Sequence, residues 1–317
     1  MFARGLLGAA LVSSLGLPAL GQYSSPVIIN HEDTDITQLT EAEINYVKSN
    51  LHIAYQHTSH GSQVTDGMTG LVGFANGGGK GMSHPTNIFQ YNNGGTGGAL
   101  DLRDYGIPGA SDLGAPNRTQ WATATQNFLA DPNNGQINVV MWSWCGQVSS
   151  ATASDINTYL TLMSNLEANF PDVHFVYMTG HTEYASNEQN TKDRNQQIRD
   201  YCVANNRILY DFADIESWNP DGNNFPYVDD SCDYYDLPYS DANHTKLGNW
   251  ATEWQNSHTQ NTDWYSCSCA HSVALNGNQK AYAAWHLFDE IATIPEPTTL
   301  SLVAIGAGAL LRRRRRR

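Results

Sequence analysis

The chain has 317 residues, of which 40% are hydrophobic, 10% aromatic and 15% charged. This composition excludes a disordered chain, which would combine low hydrophobicity with high charge, and a coiled coil, which would be dominated by Ala, Glu, Lys, Leu and Arg. No internal apolar run reaches the roughly 18 residues that a membrane-spanning helix needs. The length suits one large globular domain or two small ones.

The formal net charge is −14, and the middle of the chain is more acidic than this value suggests. Residues 1–21 and 298–317 contain seven of the 17 basic residues and none of the 31 acidic residues. The segment between them therefore holds 10 basic residues against 31 acidic ones. Because such a surface repels phosphate groups, we expect no nucleic-acid partner.

The first 21 residues have the organisation of a secretory signal peptide. Arg4 supplies the positive charge, residues 5–20 form an apolar stretch, and Ala19 and Gly21 are small residues at the positions that a signal peptidase reads. We therefore expect signal peptidase to cut before Gln22 and the mature chain to be exported. A buried N-terminal helix is the alternative interpretation.

Between residues 40 and 292, apolar strands alternate with amphipathic helices. Strands are predicted over 51–55, 137–142, 173–179 and 208–212, and helices over 41–49, 154–170, 187–205, 246–256 and 277–292. Thr40 and Glu43 form a capping box at the start of the first helix. Strand–helix alternation predicts an α/β fold, a three-layer α/β/α domain with a mostly parallel sheet, over residues 22–292.

Residues 293–317 form a tail with three parts. The tripeptide Pro295-Glu296-Pro297 is followed by a 14-residue apolar run, 298–311, and then by six arginines. This order resembles a PEP-CTERM sorting tail. The resemblance implies a short transmembrane helix with transient membrane association, cleavage by an exosortase-type protease, and delivery to the cell surface or extracellular matrix of a Gram-negative-type bacterium. An ordinary C-terminal anchor helix is the alternative.

Polar or small residues follow each predicted strand, at 56–63, 143–147, 179–183 and 213–216. In open parallel sheets, ligands and chemistry gather at the carboxyl ends of the strands. Ser59, with Gly61 two residues later, suits an exposed nucleophile on a tight turn. Each segment taken alone is equally well explained as a capping turn.

The order of these segments resembles the SGNH (GDSL-type) hydrolase family, whose fold is flavodoxin-like. Ser59, within His57-Thr58-Ser59-His60-Gly61, matches the block that carries the nucleophile. The segment 105–111 resembles the second block, which makes Gly109 an oxyanion-hole residue. The segment 270–276 resembles the last block, which makes His271 the catalytic base. Segments 195–199 and 207–211 resemble the family's penultimate helix and strand, so the resemblance spans roughly residues 50–292.

Two departures from the family pattern leave alternatives open. The third block lacks its Asn, and Cys145 and Gln147 stand in that region as candidate oxyanion-hole residues. The family's Asp-x-x-His is absent before His271 but occurs at Asp241 to His244. His244 with Asp241 is therefore a competing base and acid. We favour His271, because it directly precedes the last helix, and its orienting acid then comes from elsewhere or is missing.

The resemblance implies an ester hydrolase. The family's habits, together with the export signal and sorting tail, make an acyl group on an extracellular polysaccharide the expected substrate. A serine hydroxyl is a weak nucleophile that needs a base within hydrogen-bond reach, and an imidazole titrates in the right range. The backbone N–H groups of Ser59 and Gly109, with a third donor from Gln147 or Cys145, would stabilise the oxyanion. No cofactor or metal is needed.

Two other functions remain open on the sequence. A metal-dependent hydrolase would gather histidines and aspartates on a divalent ion, although no compact motif is present; the candidates are His57, His60, His181, His244, His271, Asp214 and Asp241. The acidic segment 219–236 would more readily be a solvated loop than a calcium site. A non-catalytic carbohydrate-binding protein on a hydrolase-like fold is the other alternative.

Five cysteines complete the candidate residues. In an oxidising compartment Cys232 is a candidate to pair with Cys267 or Cys269, since all three lie in polar segments. Cys145 and Cys202 lie on apolar segments and are expected to be buried thiols.

Overall fold

The computed structural model describes residues 23–294, and the candidate signal peptide and all but the first two residues of the candidate sorting tail lie outside this range. Seven strands form one sheet: β1 (Val27–Ile29), β2 (His52–Gln56), β3 (Tyr91–Asn92), β4 (Leu100–Asp104), β5 (Val139–Trp142), β6 (His174–Met178) and β7 (Ile208–Tyr210). Their order is β1-β7-β6-β5-β2-β4-β3, and every pair is parallel. A small antiparallel pair, β8 (Asp233–Tyr235) and β9 (Lys246–Asn249), lies apart from this sheet.

Eight α-helices accompany the strands in the described range. They are α1 (Glu41–Asn50), α2 (Ser59–Asn76), α3 (Gln120–Ala130), α4 (Ala153–Asn169), α5 (Glu188–Ala204), α6 (Phe212–Glu216), α7 (Trp250–Ser257) and α8 (Ala274–Thr293). Apolar residues of α1, α2 and α8 share one buried cluster, and those of α3, α4 and α5 share another. The predicted three-layer α/β/α fold is confirmed.

The central strands are buried on both faces, because successive side chains of a strand point to opposite sides of the sheet. Ile53 and Tyr55 of β2 pack on the α1/α2/α8 side, and Ala54 between them packs on the α3/α4/α5 side. Val140 and Trp142 of β5 lie on the second side with Ala54. This explains why these strands read as continuous apolar runs rather than as alternating ones.

Most predicted elements are present with shifted ends, and one is wrong in part. The segment 246–256 was expected to be a single helix, but its first four residues form β9 and α7 begins only at Trp250. Pairing with β8 fixes residues 246–249 as extended backbone. The Asn249 side chain then caps α7 by accepting from the Thr252 N–H. Within residues 23–294, no helix combines the length and apolar character needed to cross a membrane.

A buried ion pair joins α8 to the rest of the fold. The side chains of Lys280 and Glu216 are both fully buried, with Nζ and Oε1 2.5 Å apart. Lys280 also donates to the amide oxygen of Gln63 on α2. The second carboxylate oxygen of Glu216 accepts from the Thr182 backbone N–H at 2.7 Å. Because both charges have several partners, the low-dielectric interior can hold them, whereas a lone charge there would be costly.

Candidate active site

Ser59 lies at the carboxyl edge of the sheet, where the chain leaves β2 and enters α2. Thr58 precedes the helix in an extended conformation, and its hydroxyl donates to Asp112 at 2.6 Å instead of capping α2. The first N–H groups of α2 are therefore left uncapped beside Ser59. Gly61 allows the helix to approach the β5 loop, since a Cβ atom there would lie 2.2 Å from Oγ of Ser143.

His271 reaches Ser59 from the turn before α8. Its Nε2 lies 2.9 Å from the Ser59 Oγ, within hydrogen-bond distance. The backbone of His271 has a φ of 66°, a left-handed conformation that is uncommon for a residue with a side chain and occurs often at functional sites. The structure thus brings the predicted nucleophile and the favoured base together.

The packing of α2 on α8 positions this histidine. Gln63, one turn after Ser59, donates to the carbonyl of Ala270 and is itself held by Lys280. The two helices touch at Gly67 and Gly277, where a Cβ on Gly67 would lie 2.1 Å from the Gly277 carbonyl oxygen. The location of the base therefore depends on close backbone contact between two helices.

Within the described residues, no carboxylate is hydrogen-bonded to Nδ1 of His271, so Ser59 and His271 form a dyad. The carboxylate of Asp230 interacts electrostatically with His271. Burial raises the pKa of Asp230, but the hydrogen bond from His60 and the charges of His181, His60 and His271 outweigh it. The net pKa lies below the ordinary value for an aspartate.

A second set of residues lies directly beside the dyad. The Cys145 Sγ is 3.2 Å from Nδ1 of His60, and Nε2 of His60 is 3.0 Å from Oδ2 of Asp230. The same sulfur is 3.5 Å from the Ser59 Oγ. A thiol, an imidazole and a carboxylate are thus connected in the order that covalent catalysis uses to activate a nucleophile.

This second set favours charged forms. The hydrogen bond to His60 is the main cause that lowers the pKa of the Cys145 thiol to about 6, against an opposing effect of burial. Burial lowers the pKa of His60, but its bonds to Asp230 and Cys145 raise the net value to about 9. Both shifts favour a thiolate on Cys145 and an imidazolium on His60.

Three imidazole rings are stacked across the site. The His60 ring lies between those of His181 and His271, with centroids 4.1 Å and 4.4 Å away and planes within 6° of parallel. His181 follows β6, and its Nδ1 is bound to the Thr182 carbonyl oxygen. The stack connects the loop after β6, the start of α2 and the turn before α8.

Gln147 and Gly109, the other two predicted oxyanion-hole residues, make contacts outside the Ser59–His271 pair. Gln147 accepts from the Cys145 backbone N–H at 2.9 Å and donates to Asp112 at 3.1 Å, so its amide holds the loop that carries Cys145. Gly109 is exposed, has a φ of 112°, and lies against Ala124 of α3. Its role as an oxyanion donor stays a prediction.

The competing base and acid lie in a different environment. His244 packs against the rings of Tyr184, Tyr235 and Tyr239, and its Nδ1 is 2.6 Å from the carbonyl oxygen of Asp241. The Asp241 side chain binds the Asn243 backbone N–H. No hydrogen bond in the described part of the chain joins either residue to Ser59, so the geometry favours His271.

The seven metal candidates do not converge on one point. His57 is bound to Asp104 at 2.7 Å, and His31 is bound to Asp214 at 2.5 Å. Within the described residues, a compact group of potential ligand atoms is formed by His60, His181 and Asp230. Both ring nitrogens of His60 already have protein partners, Cys145 and Asp230. The arrangement therefore fits an activated thiol better than an open metal centre.

The structure departs from two predictions about the cysteines and gives the acidic segment a contact with the site. All five cysteines are free thiols, so the predicted pairing of Cys232 with Cys267 or Cys269 does not form here. Cys202 is buried as expected, but Cys145 is half-exposed, because its segment leaves the sheet and enters the site. The acidic segment supplies Asp230, which sequence patterns did not single out among its acidic neighbours.

Ser59, His271 and Cys145 lie together as predicted candidates. His60, which the sequence offered only as a metal ligand, and Asp230, which it left within the acidic segment, join them. The proximity of His60 to Ser59 in the chain was the available signal. Comparison of the chain with protein-family models, with curated proteins and with solved structures finds no match. The geometry of these five residues is therefore the observation from which we infer a function.

Proposed function

We propose that this protein is an exported serine hydrolase that cleaves acyl esters, with Ser59 as nucleophile and His271 as base. The supporting observation is the 2.9 Å separation between the Ser59 Oγ and the His271 Nε2. The two residues come from opposite ends of the domain, 212 positions apart, and meet at the carboxyl edge of a parallel sheet. That edge is where chemistry gathers in folds of this class.

The reaction begins when the Ser59 hydroxyl attacks the acyl carbon and His271 takes its proton. The C–O bond to the leaving alcohol breaks as His271 returns the proton to that oxygen, which leaves an acyl group on Ser59. Water, deprotonated by His271, then releases the carboxylic acid and restores the serine. Because no acid orients Nδ1 of His271 in the described structure, we expect slower turnover than a full triad supports.

The start of α2 supports the oxyanion. Backbone N–H groups in the first turn of a helix have no intrahelical acceptor, and the positive end of the helix dipole favours negative charge there. Since the Thr58 side chain binds Asp112 instead, it does not occupy these donors. Donors fixed in this way stabilise a developing negative charge without having to reorganise.

The substrate class rests on the two ends of the chain. An export signal and a sorting tail would bring the enzyme to the cell surface, where acylated polysaccharides are available esters. The half-exposed Ser59 and exposed His271 support access by a large substrate, because neither requires the substrate to enter a deep cavity.

The test is hydrolysis of a short-chain aryl ester by the purified protein and by Ser59→Ala. We expect the turnover of the variant to fall at least about a thousandfold, as for other serine nucleophiles. Ser49→Ala is the matched control, since Ser49 is an exposed helical serine whose hydroxyl donates to the carbonyl of Asn45.

Three results would contradict the proposal. Undiminished hydrolysis by Ser59→Ala would exclude Ser59 as nucleophile. Activity that a chelator removes and a serine-directed fluorophosphonate leaves intact would favour metal-dependent hydrolysis. A wild-type protein that hydrolyses nothing and still binds glycans would support the non-catalytic alternative.

A further inference from the structure

We propose that Cys145 is a second, independent nucleophile of this site, which accepts acyl groups from thioester donors with His60 as its proton-transfer partner and Asp230 as a positioning residue. Three contacts carry the proposal. Sγ of Cys145 lies 3.2 Å from Nδ1 of His60, Nε2 of His60 lies 3.0 Å from Asp230, and the sulfur is 3.5 Å from the Ser59 Oγ. The inference does not depend on Ser59 acting as a nucleophile.

The five cysteines divide sharply by environment. Cys202 and Cys232 are buried, and burial raises their pKa values. Burial also raises the pKa of Cys267 to about 12 and that of Cys269 to about 11. Cys145 alone combines partial exposure with an imidazole that is bound to a carboxylate, the environment in which reactive thiols occur.

Both carboxylates and imidazoles face the pair formed by Cys145 and His60. Asp230 faces it from the loop before β8, Glu216 from α6 and Glu183 from the loop after β6, while His181 and His271 stack on the two faces of His60. Asp230 is the only carboxylate among them in direct contact with His60. It fixes the ring so that Nδ1 points at the sulfur, which is the positioning role.

The chemistry of sulfur indicates the donor class. Attack of the Cys145 thiolate on a thioester exchanges one C–S bond for another, so the step is close to balanced in energy. Attack on an alkyl ester would have to expel a much more basic alkoxide. The leaving thiolate takes the proton from His60, which leaves an S-acyl group on Cys145 and a neutral imidazole.

Two fates of the S-acyl group conserve atoms and charge. Water can attack with neutral His60 as base, which breaks the C–S bond, releases a carboxylic acid and restores the thiolate–imidazolium pair. Alternatively, a hydroxyl of a bound acceptor can attack in the same way, which breaks the C–S bond and releases the acceptor as its acyl ester. The site would thus process thioesters through sulfur and oxygen esters through Ser59.

The first experiment locates the adduct. The full-length protein and its Ser59→Ala, Cys145→Ser and Cys267→Ser variants are treated with an aryl thioacetate, and the acyl group is located by intact mass and peptide mapping. We expect one acetyl group on Cys145 in the wild type, in Ser59→Ala and in Cys267→Ser, and at least about a tenfold loss of that adduct in Cys145→Ser. An adduct found on another residue, or absent from Ser59→Ala, would overturn the proposal.

The second experiment tests the partners by the pH dependence of alkylation with iodoacetamide. We expect the wild-type rate at Cys145 to rise with a midpoint near pH 6. His60→Gln and Asp230→Asn should move that midpoint toward the ordinary thiol value of about 8.5. At pH 6.5 the loss of thiolate is partly offset by the greater nucleophilicity of a more basic sulfur, so the rate should fall only about fivefold.

The sign of the effect should reverse at high pH. At pH 9 the more basic thiolate of His60→Gln should react about tenfold faster than the wild type. A merely structural disturbance would not produce this reversal. A wild-type midpoint near 8.5, or variants that leave the midpoint in place, would refute the role of His60. Loss of ester hydrolysis in Ser59→Ala reports on the proposed serine mechanism alone, so the two proposals fail separately.

Discussion

The two imidazoles beside Ser59 occupy contrasting environments. His271 is exposed, contacts Ser59 through one nitrogen, and has no acid bound to the other in the described structure. His60 is buried, and both of its nitrogens have partners, Cys145 and Asp230. A ring held at one nitrogen can accept a proton and return it, whereas a ring held at both favours a fixed charge. One edge of the sheet therefore holds an exposed imidazole beside an oxygen and a buried, doubly hydrogen-bonded imidazole beside a sulfur.

Among the variants that separate these environments, replacing the proposed base should have the largest effect on ester hydrolysis. We expect His271→Gln to lower turnover of an aryl ester by about a hundredfold to ten-thousandfold, the range for general-base catalysis. His244→Gln is the matched control, because its ring packs among tyrosines and should leave turnover within about twofold. If the two variants exchanged these outcomes, the base would be His244.

Much of the fold was predictable from the sequence, since buried parallel strands and amphipathic helices have clear periods. The helix that carries Ser59 was not predicted, because α2 contains four glycines and several Ser and Thr residues, all poor helix formers. Its packing against α8 stabilises it in spite of that composition. The close contact of Gly67 with Gly277 explains one of those glycines.

The site was predictable in part. Ser59 and His271 were recognisable, because each stands in a motif with a characteristic place in the chain. Asp230 was not recognisable, since it lies 170 positions from His60 among several other acidic residues. His244 was a competitor because of its Asp-x-x-His pattern, and only the structure shows that its ring packs against tyrosines whereas the His271 ring contacts Ser59.

One substitution at the contact between α2 and α8 can distinguish the proposed roles of His271 and His60. Gly67→Ala would place a Cβ 2.1 Å from the Gly277 carbonyl oxygen, so we expect the free energy of unfolding to fall by about 1 to 3 kcal/mol. Ester hydrolysis should fall as well, because α8 carries His271 into place. Alkylation of Cys145 should change little, since His60 belongs to α2 itself.

Gly73→Ala is the control for this substitution, because within the described residues the added Cβ would meet no atom within 4 Å beyond its chain neighbours and its own helix backbone. That variant should be neutral or more stable by up to about 1 kcal/mol, as for alanine in place of a helical glycine. Calorimetry measures the change in stability, and the ester-hydrolysis and alkylation assays measure the two rates. Parallel losses of hydrolysis and alkylation in Gly67→Ala would show that the two sets share one support.

The smallest expected effect concerns stability against pH. The raised pKa of His60 stabilises the fold fully below about pH 6.5, and this stabilisation is lost as pH rises to about 9. The lowered pKa of Cys145 stabilises the fold at high pH, and that stabilisation is lost as pH falls to about 6. Between these values the two slopes nearly cancel in the wild type, because folding only moves a proton from sulfur to the ring.

Cys145→Ser removes the contribution of Cys145 to the pH dependence of the free energy of unfolding and leaves that of His60. We therefore expect the free energy of unfolding of this variant to decline by about 1 to 2 kcal/mol from pH 6.5 to 9, relative to the wild type. Denaturant titrations at three pH values make the measurement, with Cys267→Ser as control. A flat difference across this range would show that Cys145 and His60 do not share a proton.

The 212 positions between Ser59 and His271 have a consequence for the newly made chain. A ribosome adds about 5 to 20 residues per second, so the serine exists for about 10 to 40 seconds before its histidine is synthesised. Even then the pair forms only when the C-terminal helix docks through Gln63 and Lys280. If His271 is the base for Ser59, a nascent or truncated polypeptide would lack ester hydrolysis until the domain is complete.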